Sequence, residues 1–165
     1  GFGRMDEIAV ELERSFVAAN REGQLVVICG HNKRLAARLR DRPWSIPVHV
    51  YGYVQNKSDW MSVSDCLITK AGPGAIAEAL ACGLPLIVSS YIPGQETGNI
   101  DYVVSNGVGI YESDPVEIAA ITQRWLDHDN GEMQRFSDEA KKLAQPEATQ
   151  RIVKSIVAYL DDSSR

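Results

Sequence analysis

Short, continuous apolar runs alternate along the chain with stretches in which apolar residues recur every three or four positions. The run at residues 25–29 is rich in β-branched residues, which is typical of a strand buried on both faces of a sheet. The stretch that begins at Met5 has the period of an amphipathic helix. This alternation predicts helices that connect the strands of a parallel sheet by right-handed crossovers.

The same pattern gives the order of the elements. Strands are predicted at 25–29, 48–51, 66–69, 85–89 and 108–111. Helices are predicted from Met5 to a stop at Gly23, at 32–42, at 57–63, around Glu78, at 98–105, from Asp114 to about Leu126, at 131–144 and at 146–160. Asp114, Pro115 and Glu117 have the spacing of a capping box at a helix start.

The predicted fold class is α/β, a Rossmann-like, doubly wound parallel sheet. Gly1-Phe2-Gly3 is a glycine-rich turn directly before a helix, and such turns normally follow a strand. We therefore expect residues 1–165 to form one domain whose first strand, together with a partner domain, lies upstream.

Composition excludes several classes of function. Of the 165 residues, 44% are apolar and 24% are charged, as in a folded domain. No apolar run approaches the roughly 18 residues of a membrane-spanning helix. A net charge of -5 gives no electrostatic reason to expect nucleic acid or an anionic lipid as a partner. The three cysteines lack metal-ligand spacing, so we predict reduced thiols and no metal.

Four loops should leave the carboxyl ends of the strands, where ligands of open α/β sheets bind: 1–3, 52–55, 71–75 and 91–99. In the third, Gly72 and Gly74 allow close approach and Pro73 fixes φ. The N–H groups of Gly74 and Ala75, with the positive end of the helix dipole, would form an anion site. A plain tight turn would use the same residues.

Polar residues near these loops have two interpretations each. Glu78 suits both ribose hydroxyls, or a charge–dipole contact on a solvated face. Gln95, Glu96 and Asn99 suit the hydroxyls of a sugar, or turn formation.

Three residues of the neighbouring segments are equally ambiguous. Tyr53 could stack on a base or belong to the core. Lys70 could neutralise a phosphate or be an ordinary solvated lysine. His31 could act as a base or lie in a plain turn, and we leave it unassigned.

At these loops the sequence resembles the monogalactosyldiacylglycerol synthases, relatives of the bacterial lipid-II-forming N-acetylglucosaminyltransferase. The matching segments are LVVICG at 25–30, SDCLITKAGPG at 64–74, IAEAL at 76–80, GLP at 83–85, YIPGQE at 91–96 and KLAQPEA at 142–148. GLP recurs in many nucleotide-sugar transferases, whereas KAGPG together with YIPGQE is particular to the diacylglycerol glycosyltransferases.

The resemblance implies the C-terminal, donor-binding half of a two-domain GT-B enzyme. Such an enzyme would transfer galactose from UDP-galactose to 1,2-diacylglycerol with inversion, at the plastid envelope, as a peripheral membrane protein without metal or cofactor. The lipid site and the catalytic base would lie in the N-terminal domain, so no catalytic residue is assigned here. The helix at 146–160 would reach back toward that domain.

The resemblance also implies roles for individual residues. Glu78 would bind the ribose, Gly74 and Ala75 the diphosphate, and Gln95, Glu96 and Asn99 the sugar. Tyr53 and the backbone of Val54 would flank the uracil. Gly1 and Gly3 fall where the family has a glycine-rich phosphate loop, although Phe2 and Arg4 interrupt its pattern.

Two alternatives stay open at this point. One is a related transferase that uses UDP-glucose or UDP-N-acetylglucosamine. The other is a non-catalytic subunit that binds a sugar nucleotide.

Overall fold

The computed structural model describes residues 4–127, 129, 131–145 and 147–162. The strands are β1 Leu25–Ile28, β2 Val48–Tyr51, β3 Leu67–Lys70, β4 Leu86–Ser90 and β5 Gly109–Tyr111. The helices are α1 Met5–Ala18, α2 Lys33–Arg40, α3 Lys57–Ser62, α4 Pro73–Ala81, α5 Thr97–Ser105, α6 Pro115–Trp125, α7 Glu132–Leu143 and α8 Ala148–Asp162. The predicted order of elements is confirmed; the start of the last helix at residue 146 and the loop 1–3 lie outside the described residues.

The end of α1 differs from the sequence prediction. The helix ends at Ala18, and Asn20 has a φ of 47°. Asparagine adopts this left-handed conformation more readily than most residues, so it ends the helix before Gly23 is reached. The prediction of Gly23 as the stop was wrong. A Cβ atom at Gly23 would lie 2.6 Å from the ring of Phe16, so the glycine makes room for that side chain.

The start of α6 confirms half of the predicted capping box. Asp114 Oδ1 accepts hydrogen bonds from the N–H groups of Val116 (2.8 Å) and Glu117 (3.3 Å). The N–H of Asp114, however, donates to Glu112 (2.8 Å) and not to Glu117. The expected return bond from Glu117 was therefore wrong, because a carboxylate just before the cap is already in place.

All strand pairs are parallel, as predicted, but the hydrogen-bonded ladder has two parts. β1 pairs with β2, and β4 lies between β3 and β5. Within the described residues no ladder joins β1 to β3. Between them lies a cavity of about 770 Å³, lined by both strands and by the inner face of α1. We call this cavity the inter-sheet slot.

Helices cover both faces of the β3–β4–β5 part, which confirms the doubly wound arrangement. In β4, Leu86, Ile87 and Val88 are fully buried. Because side chains alternate along a strand, Leu86 and Val88 pack with residues of α4, α5 and α7, whereas Ile87 packs with α1 and α6. This core holds the carboxyl ends of β3 and β4, and the loops that follow them, in fixed positions.

Among the side chains of α8 that the structure describes, none is buried in the core. Its apolar face is solvent-exposed and comprises Ile152, Val153, Ile156, Val157 and Leu160. No helix in the described part of the chain combines the length and apolar character needed to cross a bilayer. That α8 reaches toward a partner domain stays a prediction.

Candidate functional site

The loops 71–75 and 91–99 lie side by side because they follow two adjacent parallel strands. The N–H of Ala71 donates to the carbonyl of Ser90 (2.8 Å), which extends the β3–β4 pairing into the loops. The loops 71–75 and 91–99 are therefore neighbours at the carboxyl edge of the sheet, where ligands of open α/β sheets bind.

The turn before α4 leaves the end of the helix open. Gly72 is extended (φ -75°, ψ 126°) and supplies no side-chain cap, and Pro73 occupies the first helical position. The next N–H groups, of Gly74 and Ala75, have no acceptor four residues back within the helix. Apart from the adjacent residues and the backbone of α4 itself, no atom lies within 4 Å of the position that a Cβ of Gly74 would occupy. An anion could thus approach these two N–H groups directly.

Glu78 lies on the second turn of α4 and forms an ion pair with Lys57. The ammonium lies 2.9 Å from Oε2 and donates a hydrogen bond to Oε1 at 3.1 Å. Oε2 is buried at the atomic level and accepts no hydrogen bond, so its contact with Lys57 is the ion pair alone. Both side chains are about two-fifths exposed, and a pair this exposed contributes little stability. A ligand with hydroxyl donors could therefore engage Glu78 at small cost.

Glu96 is buried, unlike the other polar residues of its loop. Its Oε1 accepts a hydrogen bond from Lys70, and its Oε2 accepts one from the N–H of Ile92 at 2.9 Å. The hydrogen bond from Lys70 holds the pKa of this carboxyl below its usual value, and the Ile92 N–H adds to the effect against the opposing influence of burial. Both oxygens predicted to bind a sugar thus already have partners inside the protein.

Asn99 also connects the two loops. Its Nδ2 donates to the carbonyl of Ala71 at 2.8 Å. Gln95, the remaining predicted sugar ligand, is exposed at the rim of the loop. Nothing in the sequence signalled these cross-loop bonds, because each joins residues more than 25 positions apart.

Tyr53 is 65% exposed, which excludes the core interpretation of this side chain. Its ring stacks on that of His31 with centroids 4.9 Å apart and planes within 9°. The hydrogen bond from Gly30 N–H to the Gly52 carbonyl (3.2 Å) brings the two loops together. His31, which sequence reasoning left unassigned, thereby covers one face of the tyrosine. Val54, expected beside the uracil, follows in the same loop and is half-buried.

The remaining predictions for this edge concern metals, thiols and the first loop. The described residues contain no group of three or more His, Cys, Asp or Glu side chains placed to hold a metal. Cys29, Cys66 and Cys82 are free thiols, and burial raises the pKa of Cys66 to about 12. Gly1 and Gly3 lie outside the described residues.

Comparison with protein families places residues 4–155 in one model, described as the glycosyltransferase family 28 C-terminal domain. The chain is 48% identical over 159 residues to monogalactosyldiacylglycerol synthase 3 (chloroplastic) of Arabidopsis thaliana, covering 94% of the chain and 34% of that protein. It is 46% identical over 156 residues to the chloroplastic synthase of Spinacia oleracea, covering 93% and 30%. The chain thus spans about a third of the length of these curated relatives.

Among solved structures, MurG from Acinetobacter baumannii matches with a TM-score of 0.73 at 17% identity. The match covers 96% of this chain and 48% of that one. At such low identity the likeness establishes the fold, that of the C-terminal domain of GT-B glycosyltransferases, and nothing further.

Proposed function

This chain belongs to the glycosyltransferase family 28 C-terminal domains, and from that premise we propose that it is the donor-binding domain of an inverting UDP-galactose:1,2-diacylglycerol galactosyltransferase. The observation that carries the proposal is the 46–48% identity to two plant monogalactosyldiacylglycerol synthases over more than nine-tenths of the chain. That similarity includes the segments from which both ligand loops are built.

In the proposed reaction the 3-hydroxyl of the acceptor attacks the anomeric carbon of galactose from the side opposite UDP. The new C–O bond forms as the bond to the diphosphate breaks, and a base in another domain takes the hydroxyl proton. Negative charge then grows on the leaving diphosphate. We propose that the open N–H groups of Gly74 and Ala75 stabilise that charge, without a metal or cofactor, because they are oriented before the reaction begins.

The other contacts follow from the geometry of the carboxyl edge. Glu78 would accept the ribose hydroxyls in exchange for its exposed ion pair with Lys57. Tyr53 and the backbone of Val54 would flank the uracil, with His31 behind the tyrosine ring. Gln95, exposed in the 91–99 loop, would contact the galactose.

The ribose contact can be tested by calorimetry. Glu78→Ala should lower the affinity for UDP about tenfold or more, because each hydrogen bond to a charged group contributes about 1.5–3 kcal/mol. Glu139→Ala is the matched control, since Glu139 is equally exposed and paired with a lysine, but lies on α7. Unchanged UDP affinity in Glu78→Ala would refute the assignment.

The donor sugar needs a separate experiment. Competition of UDP-galactose, UDP-glucose and UDP-N-acetylglucosamine for the site should favour UDP-galactose. A preference for UDP-glucose or UDP-N-acetylglucosamine would mean that the chain belongs to a related transferase with a different donor.

We further propose that the two ladders belong to one sheet, with a strand in the inter-sheet slot. Supporting this, the slot is bounded by β1, β3 and the apolar face of α1. A strand there that led into α1 and then β1 would form a right-handed βαβ unit.

The acceptor site, the catalytic base and contact with a membrane would belong to a further domain. The exposed apolar face of α8 supports a contact between this chain and such a domain. The chloroplastic relatives support placement at the plastid envelope.

A further inference from the structure

Lys70 lies at the end of β3, where the chain turns toward α4. A Cβ atom at Gly72 would lie 3.3 Å from its Nζ, so the ammonium group lies against the turn itself. The Lys70 side chain keeps 42% of its surface exposed, and the space beside Gly74 is open. A positive charge therefore borders open space at the positive end of the α4 dipole.

The buried carboxylate of Glu96 accepts a hydrogen bond from that ammonium group. The carboxylate is only 5% exposed, while its second oxygen is fixed by the N–H of Ile92 at 2.9 Å. Glu96 takes one of the three donors of the Lys70 ammonium, which leaves two donors that this bond does not use. Because each oxygen already accepts a hydrogen bond and the side chain is almost fully buried, little of Glu96 is accessible to a sugar hydroxyl.

We propose that Lys70 is a further diphosphate ligand and that Glu96 is a positioning residue that holds its ammonium beside the α4 turn. This inference rests on the proposed function, which supplies the diphosphate. It changes the role of Glu96 from a sugar ligand to a residue that acts through Lys70. Asn99, bonded to the Ala71 carbonyl, fixes the same two loops relative to each other.

The first experiment compares UDP with uridine, which lacks the diphosphate, by calorimetry on the chain. Lys70→Met should lower the affinity for UDP about tenfold or more and leave that for uridine unchanged, since the lost bond is to phosphate. Lys142→Met is the matched control, because Lys142 is exposed and paired with Glu139 far along the chain on α7. An equal loss for both ligands, or no loss for either, overturns the proposal.

Lys70→Met also leaves Glu96 buried without its cation, which costs stability. The double variant Lys70→Met/Glu96→Gln removes that unpaired charge. We expect it to recover thermal stability but not UDP affinity. Recovery of both would show that Lys70 acts on the fold alone and would overturn its role as a ligand.

The second experiment separates positioning from sugar contact. Glu96→Gln should change the affinities for UDP and UDP-galactose by the same factor, so that their ratio stays constant. Gln95→Ala should lower the affinity for UDP-galactose only. If Glu96→Gln lowers the affinity for UDP-galactose more than the affinity for UDP, Glu96 contacts the sugar and the positioning role is overturned.

The outcomes also separate this inference from the proposed function. If the unaltered chain binds no UDP, the proposed function fails and this inference with it. If the chain binds UDP but Lys70→Met binds it equally well, only this inference fails.

Discussion

Glu13 is a buried carboxylate on α1. Its oxygens accept hydrogen bonds from the Arg42 guanidinium (2.7 Å) and the Ser45 N–H. Burial by itself raises the pKa of Glu13, but these bonds outweigh it and leave the pKa below its ordinary value. The ion pair thus fastens the segment between α2 and β2 to α1.

Glu13→Gln should destabilise the fold by about 1–3 kcal/mol at pH 7, because Arg42 loses a charged partner and a buried bond is weakened. A carboxyl whose pKa is lowered on folding contributes stability above its unfolded pKa, and that contribution is lost as the pH falls through the folded value. The difference between wild type and variant should therefore shrink below about pH 4.5. Urea unfolding of both proteins at pH 7 and pH 3 measures this difference in the free energy of unfolding. Glu7→Gln, on the exposed face of the same helix, is the control and should change stability little. A gap that is constant with pH would contradict the ion-pair account.

At the scale of elements, the sequence prediction and the structure assign different partners to the N–H of Asp114 at the start of α6. Asp114→Ala removes two hydrogen bonds and should cost about 1 kcal/mol. Glu112→Ala should also be destabilising, since Glu112 holds the N–H of Asp114, whereas Glu117→Ala should have little effect. Thermal unfolding of the three variants decides between the two arrangements. A loss in Glu117→Ala greater than in Glu112→Ala would favour the capping box that the spacing predicted.

The pairing of β4 with β5 depends on one glycine. A Cβ atom at Gly109 would lie 2.1 Å from the carbonyl oxygen of Leu86. Because that oxygen belongs to the backbone of β4, the clash can be relieved only by moving the two strands apart. Gly109→Ala should therefore lower the free energy of unfolding by about 2 kcal/mol or more. Gly98→Ala, in α5 with open space around it, is the control and should cause no loss. Equal unfolding midpoints for the two variants would show that β5 adjusts freely.

At the scale of the whole molecule, α8 contributes little to this core. Its side chains at 151–160 are exposed, so a chain that ends at residue 145 should unfold with nearly the same free energy as the full chain. Phe136→Ala in α7 gives the contrast, because that ring is buried against Trp125 and its loss should cost about 3–5 kcal/mol. Denaturant unfolding measures both. A large loss on removal of α8 would mean that its apolar face packs on this domain after all.

Sequence reasoning recovered the candidate loops better than the contacts inside them. Gly72, Pro73 and Gly74 identify a strand-to-helix turn by their own conformational preferences, and the order of strands then places that turn beside the 91–99 loop. The stack of His31 on Tyr53 had no such local signal, because it depends on how two loops meet in space.

The amino-acid sequence by itself determined the order of strands and helices, the parallel pairing and the edge at which ligands would bind. Those features follow from apolar periodicity and from glycine and proline, which act within a few residues. Only the tertiary structure decided which polar side chains are exposed at that edge and which bind each other. Gln95 and Glu96 are neighbours in the chain, yet one is exposed and the other is buried against Lys70. The physical reason is that the partner comes from another strand, 26 positions away, which the packed core brings within hydrogen-bonding reach.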